Sequence, residues 1–222
     1  MNRLLPIGLL SLLALAACNP HVSGNGVLGE EQRTVAPFDG VDISLAAEAI
    51  ITANATTQKL TVSVDENLLQ YILTPVEGGV LKTRLNPIVN GIDSVHPLRI
   101  VAQAKALHSV RATEAANVDV KEAGDPDPGF TFEVVAAGLS NVQLQGPGGG
   151  QLRVNLSGGS GLDAWSYPVA GANVALTGGS SIRINSTTDV GGTAADRSRV
   201  EITGGGTCKA LALSGASTCT PP

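Results

Sequence analysis

The stretch Gly158-Gly159-Ser160-Gly161-Leu162-Asp163-Ala164-Trp165 carries the letters of a calcium-binding nonapeptide, G-G-x-G-x-D-x-U, with Trp165 as the apolar residue. In such arrays the cation takes oxygens from successive turns, so one copy supplies half a site. From Tyr167 the chain reads "YPVAGANVA", which does not continue the pattern. A structural corner with Asp163 in solvent is the expectation. Gly24-x-Gly26-x-x-Gly29 matches the dinucleotide fingerprint in letters but lacks the preceding strand and following helix that fingerprint needs. Asp65 and Glu66 could act as acid and base, yet Asp65 sits where an N-cap for a short helical segment, "DENLLQYI", is expected. The histidines are His21 in the polar N-terminal segment, His96 before a proline and His108 in the first repeat region, and no G-x-S-x-G elbow is present. Asp163, Asp189 and Asp196 are scattered, and their spacing brings no two together. No catalytic residue, cofactor or metal site is expected.

Cys18 is different. The N-terminus reads "MNRLLPIGLLSLLALAACNP", with Arg3 ahead of an apolar run from Leu4 to Ala17. That run falls short of the roughly 20 residues of a membrane span and has the layout of a secretory signal. Leu15-Ala16-Ala17-Cys18 resembles the lipobox of bacterial lipoproteins, which implies diacylglycerol on the Cys18 thiol and removal of residues 1–17. Asn19 is not the aspartate that retains lipoproteins in the inner membrane, so an outer-membrane address is expected. Of the remaining cysteines, Cys208 and Cys219 can pair in an oxidising compartment, or they can serve as two small buried apolar residues.

The elements that hold these residues are β-strands. Of 222 residues 43% are hydrophobic but only 3% aromatic, so the core must be aliphatic and thin. Net charge is −5, with no run of Lys or Arg, which argues against nucleic acid and anionic lipid surfaces. Residues 18–33 are polar and glycine-rich, as a flexible tether would be. From residue 34 to 101 short strands and tight turns are expected. Leu60, Val62 and Val64 alternate with Thr61 and Ser63, and Glu77-Gly78-Gly79 marks a hairpin.

From residue 102 to 219 one motif recurs: "LSGGSGL" from Leu156, "LTGGSSI" from Leu176, "ITGGGTC" from Ile202 and "LSGASTC" from Leu213, with looser copies from Ala112 and Ala136. A phosphate loop occurs once and opens a helix, whereas a motif in every repeat turns the chain. A period near 20 residues predicts a β-solenoid with inward ladders formed by Val134/Ala136, Val154/Leu156, Val174/Leu176 and Val200/Ile202. Arg153, Asn155, Asn173 and Glu201 would then face water.

"GNGV", "FDGVDIS" at 38–44, "LTVSVDENLLQYI" at 60–72 and "VEGGVL" at 76–81, followed by Ser-Gly-rich repeats, resemble the auto-transporter adhesin head, or GIN domain, family over most of residues 24–219. The resemblance implies export and a right-handed, single-stranded β-helix over residues 34–219, and it brings no catalytic motif. "GGGTC" and "GASTC" depart from the Ser-Gly-Ser-Gly-Asp of many relatives, which weakens any aspartate ladder.

The leading expectation is a non-catalytic envelope lipoprotein, held to the membrane through its lipid anchor, that adheres to or binds a glycan or an envelope protein. "DAWSYP" reads as a protruding loop in which Trp165 and Tyr167 are candidate ligand contacts, the alternative being packing on the side of the solenoid. An assembly protein pairing through solenoid edges and a glycan-active enzyme are the rivals. Oligomeric state is left open.

Overall fold

A computed structural model describes residues 19–222 apart from Pro126 and Pro128. The expected signal, residues 1–17, and Cys18 lie outside the described residues. Nearly all regular structure is β. A ten-stranded sheet and a nine-stranded sheet, each mostly parallel, enclose one aliphatic core.

From Ser109 onward the chain alternates between the sheets. Ser109–Ala112, Thr131–Ala136, Gln151–Leu156, Gly171–Leu176, Val190–Ala194 and Leu211–Leu213 are successive neighbours in the nine-stranded sheet. Asn117–Lys121, Asn141–Gln145, Gly161–Val169, Ser181–Ser186, Arg199–Thr203 and Thr218–Thr220 are successive neighbours in the ten-stranded sheet. Alternate side chains of each strand point inward, and identical or similar aliphatics stack from strand to strand. Val134, Val154 and Val174 are in register, as are Ala136, Leu156 and Leu176. Each buried Val or Leu contributes about 1.5–3 kcal/mol, so these rows hold the sheets together without aromatic bulk.

The fourth step of the expected ladder is wrong. Val200 and Ile202 lie in the opposite sheet, in register with Ile182 and Ile184. The place next to Val174 is taken by Gly192, at φ 113°, where an added Cβ would run into the Val174 carbonyl. One repeat contains a strand for each sheet, so equivalent positions come once per repeat and not once per strand.

The recurring motif joins the nine-stranded sheet to the ten-stranded one. At each such corner two consecutive residues have positive φ: Gly158/Gly159, Gly178/Gly179 and Gly215/Ala216, but also Leu45/Ala46, Glu114/Ala115, Gly138/Leu139 and Asp196/Arg197. Two left-handed residues in succession are the signature of a type I′ turn, which matches strand twist. The next residue faces inward. Ser140, Ser160, Ser180 and Ser198 are buried, and each hydroxyl donates to the carbonyl three residues back, at 2.8, 2.8, 2.7 and 2.6 Å. "ITGGGTC" differs, because it leads from Arg199–Thr203 back to Leu211–Leu213 at the other side of the sheets. The corner after Ala194, "AADRSRV", belongs to the series although it contains no glycine.

The N-terminal end departs from expectation in two places. The polar segment expected as a tether contains strands His21–Ser23, paired with Gly91–Asp93, and Leu28–Gln32, antiparallel to Lys59–Asp65. Backbone pairing orders this stretch where side-chain polarity suggested a solvated coil. Asp65 precedes the 3₁₀ segment Glu66–Tyr71 but makes no side-chain cap bond to it. It is buried and turned toward Val95 and His96 instead. The hairpin at Gly78-Gly79 joins Val76–Glu77 to Val80–Lys82 as expected. Among the described residues no helix is long and apolar enough to cross a membrane.

Candidate functional site

The outward face of the ten-stranded sheet carries a groove of about 690 Å³. It crosses six neighbouring strands, from Arg99–Gln103 through Glu48–Thr52 to Ser181–Ser186. Parallel register sorts its outward side chains into rows. One row runs Glu48, Asn117, Asn141, Gly161, Ser181. The second runs Ile50, Asp119, Gln143, Asp163, Arg183. Period-two alternation puts these residues outside because Ala49, Val118, Val142 and Leu162 between them are core.

The charges at either end of the groove are paired. Arg99 donates to Glu48 at 3.1 and 3.3 Å, and Arg183 donates to Asp163 at 3.0 Å. The other oxygen of Asp163 accepts the Trp165 amide at 3.0 Å, and Arg183 comes within 3.9 Å of Glu201. Between these ends lie uncharged amides. Asn141 donates to Asn117 at 3.2 Å, while the Gln143 side chain makes no hydrogen bond among the described residues. Asp119 is the anomaly. Its Oδ2 is 3.7 Å from the Lys121 ammonium, but its Oδ1 is buried without a partner among the described residues. A buried acceptor left unpaired costs about 1–3 kcal/mol.

Trp165 stands beside this groove. Strand Gly161–Val169 carries a bulge, where the register shifts between Ala164 and Pro168. Simple alternation from Leu162 and Ala164 would send both Trp165 and Tyr167 outward. The bulge leaves Trp165 39% exposed, with the Arg183 guanidinium 4.5 Å from its ring centroid. Tyr167 turns inward instead. It is fully buried, its ring 5.7 Å from that of Phe132, so it is a core residue and not the surface contact the loop suggested. Burial pushes the Tyr167 phenol well above its ordinary value, and its hydroxyl has no partner among the described residues.

The remaining candidates fall elsewhere. Cys208 and Cys219 form a disulfide with a Cα–Cα distance of 6.2 Å; both are partly buried against the core. Asp163 of the nonapeptide-like stretch is held by Arg183 and Trp165, and Ser160 is a buried turn residue. His108 packs near Phe130, with ring centroids 5.5 Å apart, and lies 3.6 Å from Asp39. His21 pairs with Asp93 at 2.9 Å. At the same N-terminal end, Asp65 Oδ1 meets His96 Nδ1 at 2.8 Å and its Oδ2 accepts the Val95 amide at 2.6 Å. Burial by itself would raise the Asp65 pKa, but the His96 ring and the two backbone amides outweigh it and hold the carboxyl below its usual value.

Sequence reasoning did not find Asp119, Gln143 or Arg183 as groove residues. The available signal was alternation within each strand combined with a shift of 20 or 24 residues, which sets Asp119, Gln143, Asp163 and Arg183 side by side.

Comparison with solved structures shows the same fold. An adhesin from Bacteroides fragilis, described as putative, aligns at TM-score 0.67 and 14% identity, over 90% of this chain and 98% of its own. A "putative lipid binding protein" from Parabacteroides distasonis aligns at 0.57 and 16%, over 91% and 99%. A "putative adhesin" from the same organism aligns at 0.56 and 16%, over 91% and 100%. No curated protein matches the chain. Residues 37–206 match the model of the family described as "Putative auto-transporter adhesin, head GIN domain", and the chain belongs to that family.

Proposed function

We propose that this chain is a non-catalytic binding protein of the cell envelope, displayed from the outer membrane by acyl chains on Cys18 after removal of residues 1–17. The observation that carries the reading is the groove itself: ordered rows of polar side chains on a rigid sheet, with an exposed Trp165 beside it. Residues 34–219 form a right-handed β-solenoid; alternation of successive strands between two parallel sheets supports this. A solenoid gives a long surface whose outward residues vary without disturbing the core. Membership in a family described as adhesins, and relatives described as adhesins or lipid-binding, agree with a binding role. The groove's amides and carboxylates suit a polar partner better than an acyl chain.

Edge-to-edge assembly is less favoured. At one end the sheets finish in antiparallel strands, and at the other in three-residue strands followed by Pro221 and Pro222. One observation favours hydrolysis: Asp119 and Asp163 flank Gln143 in one row, two spacings apart, or about 9.6 Å. That is the outer limit for an inverting carboxylate pair. Asp163 is committed to Arg183 and the Trp165 amide, which leaves binding as the better account.

Two measurements test this. Replacing Cys18→Ser should move the chain out of the outer-membrane fraction; a variant still sedimenting there refutes the anchor. Purified full chain should adhere saturably to cells that lack it, and Gln143→Ala should reduce that adherence. Equal adherence by the variant puts the binding surface elsewhere.

A further inference from the structure

We propose that the groove binds a neutral, linear oligosaccharide that lies across the strands and donates hydroxyl hydrogen bonds to the Asp119 carboxylate and the Gln143 amide. This rests on the binding reading above and names its ligand class.

The unpaired acceptor comes first. Asp119 Oδ1 is buried without a partner among the described residues, and it sits mid-groove between Ile50 and Gln143. The Asp119 side chain is 31% exposed, so a turn of its carboxylate presents that oxygen to the groove, where a sugar hydroxyl can donate to it without bringing charge. Beside it the Gln143 amide is free to donate and accept, and Asn117, Asn141 and Ser181 offer further uncharged partners. Amides that donate and accept side by side suit hydroxyls, which do the same.

Charge then separates neutral from acidic glycans. Arg99 is neutralised by Glu48, Arg183 by Asp163, and Asp119 has the Lys121 ammonium 3.7 Å from its other oxygen, so the lining offers no unpaired cation. A uronate, sulfate or phosphate would meet that carboxylate with no unpaired arginine to offset it. A protein partner would want aromatic or aliphatic anchors in desolvated pockets. Ile50, 36% exposed, is the one large apolar side chain of this lining that reaches solvent, since Val118, Val142 and Leu162 are buried.

Geometry sets the length. Six strands give five spacings of about 4.8 Å, a track of about 24 Å along which outward side chains recur at equal intervals. A chain of repeated hydroxylated units matches a repeated surface, and a disaccharide would cover only part of it. Trp165 closes the end at Arg183, whose guanidinium it carries.

The test is calorimetric titration of the full chain, in a sugar-free detergent, with malto-, cello-, manno- and chitohexaose, and with a hexamer of galacturonate. The expected result is saturable binding of at least one neutral hexamer, at least tenfold weaker binding of its disaccharide, and weaker binding of the galacturonate. Asp119→Ala and Gln143→Ala should each weaken the hexamer at least tenfold while circular dichroism stays unchanged. Failure of every neutral hexamer at millimolar concentration overturns the proposal, as does tighter binding of galacturonate or unchanged affinity in both variants. Calcium binding that Asp119→Ala abolishes, with no hexamer bound, would make this a cation site and also overturn it. Cell adherence lost in Gln143→Ala without any hexamer binding would sink the ligand class and leave the binding surface standing. Shortened products in the titrated solution would sink the non-catalytic reading and keep the glycan.

Discussion

Replacing Tyr167→Phe should stabilise this protein, and the reasoning can be worked from the structure. Tyr167 is fully buried, its hydroxyl has no partner among the described residues, and its ring meets Phe132 at 5.7 Å with a 60° tilt. A buried hydroxyl without a partner forfeits hydration worth about 1–3 kcal/mol. Removing the oxygen abolishes that cost and leaves the ring pair intact, against a small loss of packing around the vacated atom. The balance is about 1.5 kcal/mol in favour of the variant. For a domain of about 200 residues that raises Tm by roughly 3–6 °C. Urea unfolding followed by far-ultraviolet circular dichroism, with a thermal scan, measures both numbers. If the groove is the binding surface, cell adherence by the variant should equal the parent's, because the bulge aims this side chain at the core. A loss of 1 kcal/mol or more would show that the phenol is hydrogen-bonded after all. Weakened binding with unchanged stability would return Tyr167 to the surface and break the account of the bulge.

The turn serines and the acid-sensitive end make further predictions. Ser160→Ala removes a buried hydroxyl that donates to the Ser157 carbonyl at 2.8 Å, and it should cost about 1 kcal/mol in urea unfolding. Leu139→Gly should be neutral or stabilising by up to about 1 kcal/mol, since Leu139 is exposed at φ 67° and glycine removes strain of about 1–2 kcal/mol at some cost in unfolded-chain entropy. Asp65 has a depressed folded pKa, so its contribution to stability is complete above its unfolded value near 3.8 and is lost as pH falls through the lower folded value. An acid titration followed by tryptophan fluorescence should therefore place part of the unfolding below that pH. His96→Ala, which removes the partner and leaves the burial, should move the acid midpoint upward; an unmoved midpoint would disprove the coupling.

Local physics made much of this protein legible. Alternation of Leu60, Val62 and Val64 needs only the two-residue period of a strand, and all three are core. Turns such as Ser157-Gly158-Gly159-Ser160 declare themselves because glycine tolerates positive φ. The same turn built from Asp196-Arg197 or Glu114-Ala115 was harder to see, since stacking against neighbouring corners imposes there what the residues do not prefer. Sequence alone leaves Cys208 and Cys219 either as a pair or as two buried apolar residues; in the structure their Cα atoms stand 6.2 Å apart, a separation that comes from strand stacking and not from residue type.

The groove belongs to the other category. Asp119, Gln143, Asp163 and Arg183 are 20 to 24 residues apart in sequence, and they become neighbours only when strands stack in a definite register. Asp65 and His96 are likewise joined across 31 residues. The bulge at Trp165 to Tyr167 keeps Trp165 outward and turns Tyr167 into the core, because one irregularity in pairing flips every later side chain. By itself the sequence determined strands, corners and an aliphatic interior, for these follow from preferences of residues close along the chain. Register, and with it the placement of charge and hydrogen-bonding groups across the sheet, came only from the tertiary structure, where backbone pairing between distant segments decides who stands beside whom.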